Sequence, residues 1–305
     1  MSFSREVKEE LEKQIGKSRH CQLAELSALV SFCGQITDRG NGSCLELETE
    51  HAGLAKKGYT LIKKAFGFQA ELFLDAGCLL RISDREQMGK ILEALRLCRT
   101  PGDQQPPDGR TDGILLQNSC CRRAYVRGCF LAAGSISDPQ KAYHFEIVCR
   151  TVAQAQQLQE LMCSFDTDAK IVERKKHYVV YLKEGAQLVD MLNVMGAHAA
   201  LMNLENVRIL KEMRNSVNRK VNCETANINK TVNAAVRQIE DIQYLQAQDQ
   251  LRKLPENLQE IARVRLEYPE ATLQELGGYL SPPVGKSGVN HRLRKISEIA
   301  EKQRI

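Results

Sequence analysis

No apolar run of membrane-spanning length occurs in these 305 residues, and the eleven cysteines form no C-x-x-C pair. The first absence argues against a membrane protein. The odd, scattered cysteines argue for reduced, mostly buried thiols in a cytoplasmic protein, since Met1–Leu11 is a charged amphipathic helix rather than a secretory leader. Adjacent Cys120 and Cys121 lack the spacing of a zinc knuckle, and the six histidines, His198 among them, show no ligand spacing with carboxylates. No metal, cofactor or small-molecule substrate is therefore assigned. Gly285-Lys286-Ser287 could end a phosphate-binding loop, but the glycine required upstream is replaced by Leu280. No local grouping of Ser, Cys and His suggests nucleophilic catalysis.

An apolar content of 43% and this length suit a globular chain of two domains. Charge is unevenly placed. Residues 1–205 hold 26 Lys+Arg and 26 Asp+Glu, whereas residues 206–305 hold the remaining 17 basic and 12 acidic side chains. The whole net charge of +5 thus falls in the last third, where attraction for a polyanion is expected.

That third carries a helix, a turn and a second helix, over about Thr272–Arg304. Thr272 and Glu275 make a capping box, and Leu273, Leu276, Gly277 and Leu280 form one apolar stripe. Ser281-Pro-Pro-Val-Gly285 breaks the first helix. The second buries Val289, Leu293, Ile296 and Ala300, leaving a basic, amide-rich face outside. Such a layout reads as a helix-turn-helix, whose second helix enters the DNA major groove. Lys286, Ser287, Asn290, His291, Arg292, Arg294 and Lys295 are the candidate DNA-binding residues, since Arg suits guanine and Asn suits adenine. A solvated helical hairpin is the plain alternative.

The first two-thirds repeats itself at a gapless shift of one hundred positions. Cys21 faces Cys121, Ala24 faces Ala124, Gly34 faces Gly134, Glu46 faces Glu146 and Leu61 faces Leu161. Each unit (about 21–97 and 121–197) reads αββαββα, with Arg39–Gly42 as a turn and 99–119 as the connector. The leading helices are expected at a pseudo-two-fold seam, where Gly128, Ala132, Ala133 and Gly134 permit close approach. The order resembles the LAGLIDADG homing-endonuclease fold, with Leu26–Gly34 and Val126–Gly134 lying over the family nonapeptide. The resemblance implies a metal-binding acid before the last glycine, yet those positions are Cys33 and Ala133. Hard cations need oxygen ligands, so the domain is read as non-catalytic.

Asn206–Asn218 reads as a helix, and Asn218–Thr231 as a polar stretch outside any clear helix, together a linker over 206–231. Its amides and cations suit phosphate contacts, or its asparagines cap turns; the two readings stand level. Arg214, Arg219, Lys220 and Lys230 are the candidate backbone contacts. The run Arg174–His177 is read as a solvated hairpin turn in preference to a DNA contact. Asn233–Gln246 and Glu256–Leu266 resume helical periodicity within a domain over 232–305.

Asn218–Thr231, Gly285–Lys295 and the opening Met1-Ser-Phe-Ser resemble the WhiA family of Gram-positive bacteria over essentially the whole chain. That resemblance implies an α+β domain of two LAGLIDADG-like repeats (1–205) joined to an all-α helix-turn-helix domain. It implies a non-enzymatic, nucleoid-associated regulator binding double-stranded DNA, in sporulation in mycelial actinobacteria and in cell division and chromosome segregation in many Firmicutes. In actinobacteria the family is similar to co-regulators of a WhiB-like iron–sulfur protein, a partner that nothing in this sequence shows. The alternatives are a scaffold whose N-terminal domain chiefly binds a protein partner, and a nuclease with an unorthodox metal site.

Overall fold

The computed structural model describes residues 2–38, 43–74, 77–97 and 109–304, so the expected turn at 39–42 and residues 99–108 of the connector lie outside the described residues. The chain divides into two compact units, Met1–Lys211 and Glu212–Ile305.

The first unit opens with α1 (Phe3–Glu12), capped by Ser2, whose hydroxyl accepts from the Arg5 N–H. Phe3, Val7 and Leu11 are buried at i, i+4 and i+8, one face of a helix. The first repeat runs α2 (Arg19–Cys33), β1 (Gly34–Asp38), β2 (Ser43–Thr49), α3 (Ala52–Phe66), β3 (Glu71–Phe73), β4 (Cys78–Ile82) and α4 (Arg85–Ala94). The second runs α5 (Ser119–Ala133), β5 (Gly134–Ile136), β6 (Phe145–Cys149), α6 (Val152–Cys163), β7 (Lys170–Arg174), β8 (His177–Leu182) and α7 (Gly185–Met195). Both repeats are αββαββα.

Each repeat forms one antiparallel sheet, ordered β1-β2-β4-β3 and β5-β6-β8-β7. The strand register itself obeys the hundred-residue shift: Ile36 opposes Leu45 as Ile136 opposes Phe145, and Leu47 opposes Leu80 as Ile147 opposes Val180. A slip of one residue would turn every core side chain to the wrong face, so shared register means shared burial. Helix α4 ends at Ala94, because Arg96 takes a positive φ of 45° and Leu97 bridges to Thr111.

Helices α2 and α5 cross at the centre. The crossing is tight at Gly128, where an added Cβ would lie 2.7 Å from Ala28 Cβ and 2.8 Å from the Glu25 carbonyl oxygen. Beneath it sits a buried ion triad. Glu25 of α2 meets Lys57 of α3 at 2.7 Å, and takes two bonds from Arg127 of α5 at 2.9 and 2.8 Å. Lys57 also donates to the Leu11 and Gln14 carbonyls, and Arg127 to the Met195 carbonyl. Burial holds Lys57 below the usual lysine range, with Glu25 pulling the other way.

The last helix of the first unit continues into the second as α8 (His198–Ala247). Here the sequence reading is corrected: Asn218–Thr231 is helical throughout. Between His198 and Ala247 there is no glycine or proline, and each asparagine costs only a few tenths of a kcal/mol in a helix, so nothing breaks it. The second unit then adds α9 (Glu256–Glu267), α10 (Leu273–Gly278) and α11 (Lys286–Arg304). Its core joins Ile242 and Leu245 of α8 to Leu258, Ile261, Leu276, Val289, Leu293 and Ile296. No helix among the described residues is long and apolar enough to cross a membrane.

Glu25→Gln should destabilise the first unit by about 3–5 kcal/mol, because it strands two buried cations. Guanidinium unfolding followed by circular dichroism measures this. A loss below about 1 kcal/mol would show that the triad is not what locks the seam.

Candidate nucleic-acid interface

The helix-turn-helix is built around its turn. The Thr272 hydroxyl accepts from the Glu275 N–H at 3.3 Å, while the Glu275 carboxylate accepts from the Thr272 N–H at 2.7 Å. Bonding from the Thr272 backbone N–H, and then from its hydroxyl, holds the Glu275 carboxyl below its ordinary range. After α10 the chain returns so closely that the Val284 N–H donates to the Gly277 carbonyl at 3.0 Å. A Cβ at Gly277 would overlap the Val284 carbonyl and press on Val289. Glycine is needed here for space. Arg265, almost wholly buried in α9, donates to Gln238 Oε1 of α8 at 3.1 and 2.9 Å and to the Ala271 carbonyl at 2.7 Å. It thereby fixes both the incoming helix and the loop before α10. Arg304 at the end of α11 pairs with Asp241 of α8 at 3.0 Å.

With Val289, Leu293, Ile296 and Ala300 turned inward, α11 exposes Lys286, Ser287, Asn290, His291, Arg294 and Lys295, and half-exposes Arg292. At 100° per residue these do not share one face. Ser287, His291, Arg294 and Lys295 lie opposite the buried stripe. Lys286 and Asn290 flank them on one side, and Arg292 sits roughly 160° from Arg294. Arg294 pairs with Glu298 at 3.1 Å, an exposed i,i+4 contact of small energetic weight.

Asn290, Arg294 and Ser297 form one wall of a groove of about 440 Å³. The other wall is α8, through Lys230, Asn233, Ala234, Arg237 and Gln238. Three cations and three amides thus line one trough within the second unit. Of the four candidate backbone contacts, Lys230 is in this wall. Arg219 lies on the same helical face three turns earlier, roughly 16 Å away, while Arg214 faces about the opposite way. Arg237 escapes a reading that breaks the helix at 218–231. Its signal was the i, i+3, i+7 spacing of Lys230, Asn233 and Arg237, visible only once α8 is continuous.

The first unit presents a different picture. Cys33 and Ala133 are the final residues of α2 and α5. Burial pushes the Cys33 thiol up, while Arg150 and Lys8 pull it down. Burial holds Lys8 low, its Nζ 5.9 Å from the centre of the Phe130 ring. A divalent cation there would meet a thiol, a methyl group and two cations, which is no site for Mg²⁺. The sheet cations are also occupied. Arg81 pairs with Glu46 at 2.8 Å and Glu71 at 3.7 Å, and Arg174 of the Arg174–His177 turn pairs with Glu146 at 3.1 Å. Among the described residues, the one group of metal-ligating side chains close enough to share an ion is at the other ends of α2 and α5.

Comparison with known proteins matches three family models: the WhiA N-terminal LAGLIDADG-like domain over residues 19–82, the WhiA LAGLIDADG-like domain over 122–214 and the WhiA C-terminal HTH domain over 217–300. The chain is 52% identical to a probable cell division protein WhiA of Lachnoclostridium phytofermentans, covering 99% of each. It is 51% identical to one of Alkaliphilus oremlandii, covering 99% of this chain and 98% of that protein. The crystal structure of full-length DUF199/WhiA from Thermatoga maritima superposes with a TM-score of 0.60 at 23% identity, covering 99% of both chains, a likeness of fold.

Gly277→Ala should destabilise the second unit by about 1–3 kcal/mol, the usual cost of overpacking. Hydrogen exchange of the α10 and α11 amides in the full chain reads it. Unchanged protection would mean the turn has slack.

Proposed function

This chain belongs to the WhiA family, and from that premise we propose that it is a non-enzymatic DNA-binding regulator acting in cell division. In this reading the second unit grips double-stranded DNA through α11 and the groove it shares with α8. One observation carries the proposal: Lys230, Arg237 and Arg294 converge on a single trough with Asn233, Gln238 and Asn290, and cations with amides suit phosphate and base contacts. The charge distribution supports it, since the excess of basic residues lies entirely after residue 205. The family relatives named as probable cell division proteins supply the process. A role in chromosome segregation or in sporulation-type transcription, and association with the nucleoid in the cytoplasm, extend the same reading.

The chemistry of the seam supports the non-enzymatic reading. A two-metal nuclease needs carboxylates at the positions of Cys33 and Ala133, and Lys8 and Arg150 oppose any cation there. The first unit then serves as a neutral platform open to a protein partner.

Arg237→Ala with Arg294→Ala should weaken duplex binding by on the order of tenfold per side chain. Each lost phosphate contact should also flatten the salt slope by roughly 0.9. A salt-series titration of the full chain measures both, with Arg174→Ala as a control expected to bind normally. A folded double variant with unaltered affinity and slope would remove the groove from the interface. Incubation of supercoiled DNA with Mg²⁺ or Mn²⁺ should give no cleavage; nicking that co-purifies with the protein would overturn the non-enzymatic reading.

A further inference from the structure

His20 and Cys21 are a hundred residues from Cys120 and Cys121, yet one ligand atom from each lies within 4.8 Å of all the others. His20 Nδ1 is 3.1 Å from Cys121 Sγ, 3.3 Å from Cys21 Sγ and 4.0 Å from Cys120 Sγ. A tetrahedral zinc ion with Zn–S of ~2.3 Å and Zn–N of ~2.0–2.1 Å places its ligand atoms roughly 3.5–3.8 Å apart. The observed distances bracket that spacing. Three sulfurs and one imidazole nitrogen are also a soft donor set, which favours zinc over Mg²⁺ or Ca²⁺.

The placement follows from the duplication. Residues 20 and 120, and 21 and 121, are pseudo-equivalent, and they are the second and third residues of α2 and α5. Because those helices cross at the seam, their first turns bring the two dipeptides together. Burial and the neighbouring thiols push the Cys21 thiol up to about 12 and the Cys121 thiol up as well, against the partial positive charge of the two helix N-termini, so these thiols keep their protons until an ion displaces them. Cys121 is buried and Cys21 half-buried, while His20 and Cys120 are exposed, so an ion has a path in from solvent. The cluster is roughly 18 Å along α2 from Cys33, at the opposite end of the helix from the degenerate motif. No ligand-spacing motif along the chain marks it, and the assignment of no metal from the sequence reflects that.

We propose that His20, Cys21, Cys120 and Cys121 form a four-ligand structural zinc site that ties together the first turns of the two seam helices. Binding releases the three thiol protons to solvent and leaves His20 neutral, its Nδ1 lone pair on the ion. The three thiolates and the dication leave one negative charge beside two helix N-termini, where it is well placed. A ligand set closed by four protein atoms has no position for substrate, so the ion acts on the stability of the repeat pair and not in chemistry. The inference does not depend on the DNA-binding reading.

The test is metal analysis of the full chain, purified under reducing conditions and loaded with Zn²⁺, by mass spectrometry of the bound metal after desalting. About one zinc per chain is expected, and Co²⁺ in its place should give the visible absorption of tetrahedral thiolate coordination. His20→Ala with Cys120→Ser changes two exposed ligands, so the variant should fold, yet retain less than about a tenth of the metal. Chelation should lower the thermal midpoint of the wild type and leave the variant unmoved. Folded wild type that holds neither zinc nor cobalt would overturn the proposal. So would a folded variant that keeps its full complement, or a cluster found as a disulfide that takes up no zinc after reduction.

Discussion

Everything in the first unit turns on a carboxylate that has no access to water. Glu25 is fully buried between Lys57 and Arg127, and the three side chains tie α2, α3 and α5, with carbonyls at and just after the end of α1 and at the end of α7 completing the bonds. Charges removed from water are tolerated only when every partner is in place. The network therefore admits one mutual arrangement of five segments. The same positions in the other half have a neutral solution. Where the triad has Glu25, Lys57 and Arg127, the pseudo-equivalents are Tyr125, Gln157 and Ser27. Tyr125 donates to Gln157 at 3.4 Å, Gln157 to the Thr111 carbonyl at 2.6 Å, and Ser27 meets Thr111 at 2.6 Å. Duplication conserved the backbone and let the polar chemistry diverge, ionic on one side of the axis and amide–hydroxyl on the other.

That division explains how a seam can stay intact while its chemistry goes. Packing at Gly128 and the buried networks lie in the middle of α2 and α5, whereas the motif positions Cys33 and Ala133 are at their ends. Losing a carboxylate at the ends leaves the middle undisturbed. The cations of the sheets show the same economy. Arg81 sits opposite Glu46 and Glu71 in the register, so its charge is satisfied within the sheet. A surface whose cations are matched locally exerts little pull on a polyanion, consistent with the zero net charge of residues 1–205. In the proposed reading, DNA attraction is left to the second unit.

Much of this was legible because duplication and capping write themselves locally. A shift of one hundred residues aligned glycines and apolar positions well enough to predict both sheets, and the structure extends the shift to strand register. The Thr272–Glu275 box and the stripe of Val289, Leu293, Ile296 and Ala300 marked the helix-turn-helix. What stayed hidden depended on residues far apart, or on a weak preference summed over length. Lys57, Glu25 and Arg127 carry no mutual spacing, and the hundred-residue shift that pairs Cys21 with Cys121 does not by itself say that the two meet. The asparagines of 218–231 suggested a broken chain, since Asn favours turns. In a stretch without Gly or Pro, their small individual penalties did not end the helix. Misreading that segment also concealed Arg237.

The order of charges along α11 decides which part of the helix can approach a phosphate backbone. From Lys286 to Lys295 the helix carries Lys286, His291, Arg292, Arg294 and Lys295 and no acid. Beyond it come Glu298, Glu301 and Lys302, and Arg304 is held by Asp241. The N-terminal half also has the positive end of the helix dipole, and a recognition helix enters the groove by those residues. Glu298 stands at the boundary, holding Arg294 in an exposed pair that costs little to exchange. If Arg294 turned to a phosphate, Glu298 would be left close to the backbone, and its repulsion would oppose any pose that slid further toward the C-terminus. Arg292, on the far flank, could then reach only the backbone on the other side of the groove. The helix is thus asymmetric in its charge, and in the proposed reading that asymmetry, more than the number of basic residues, limits how it would dock.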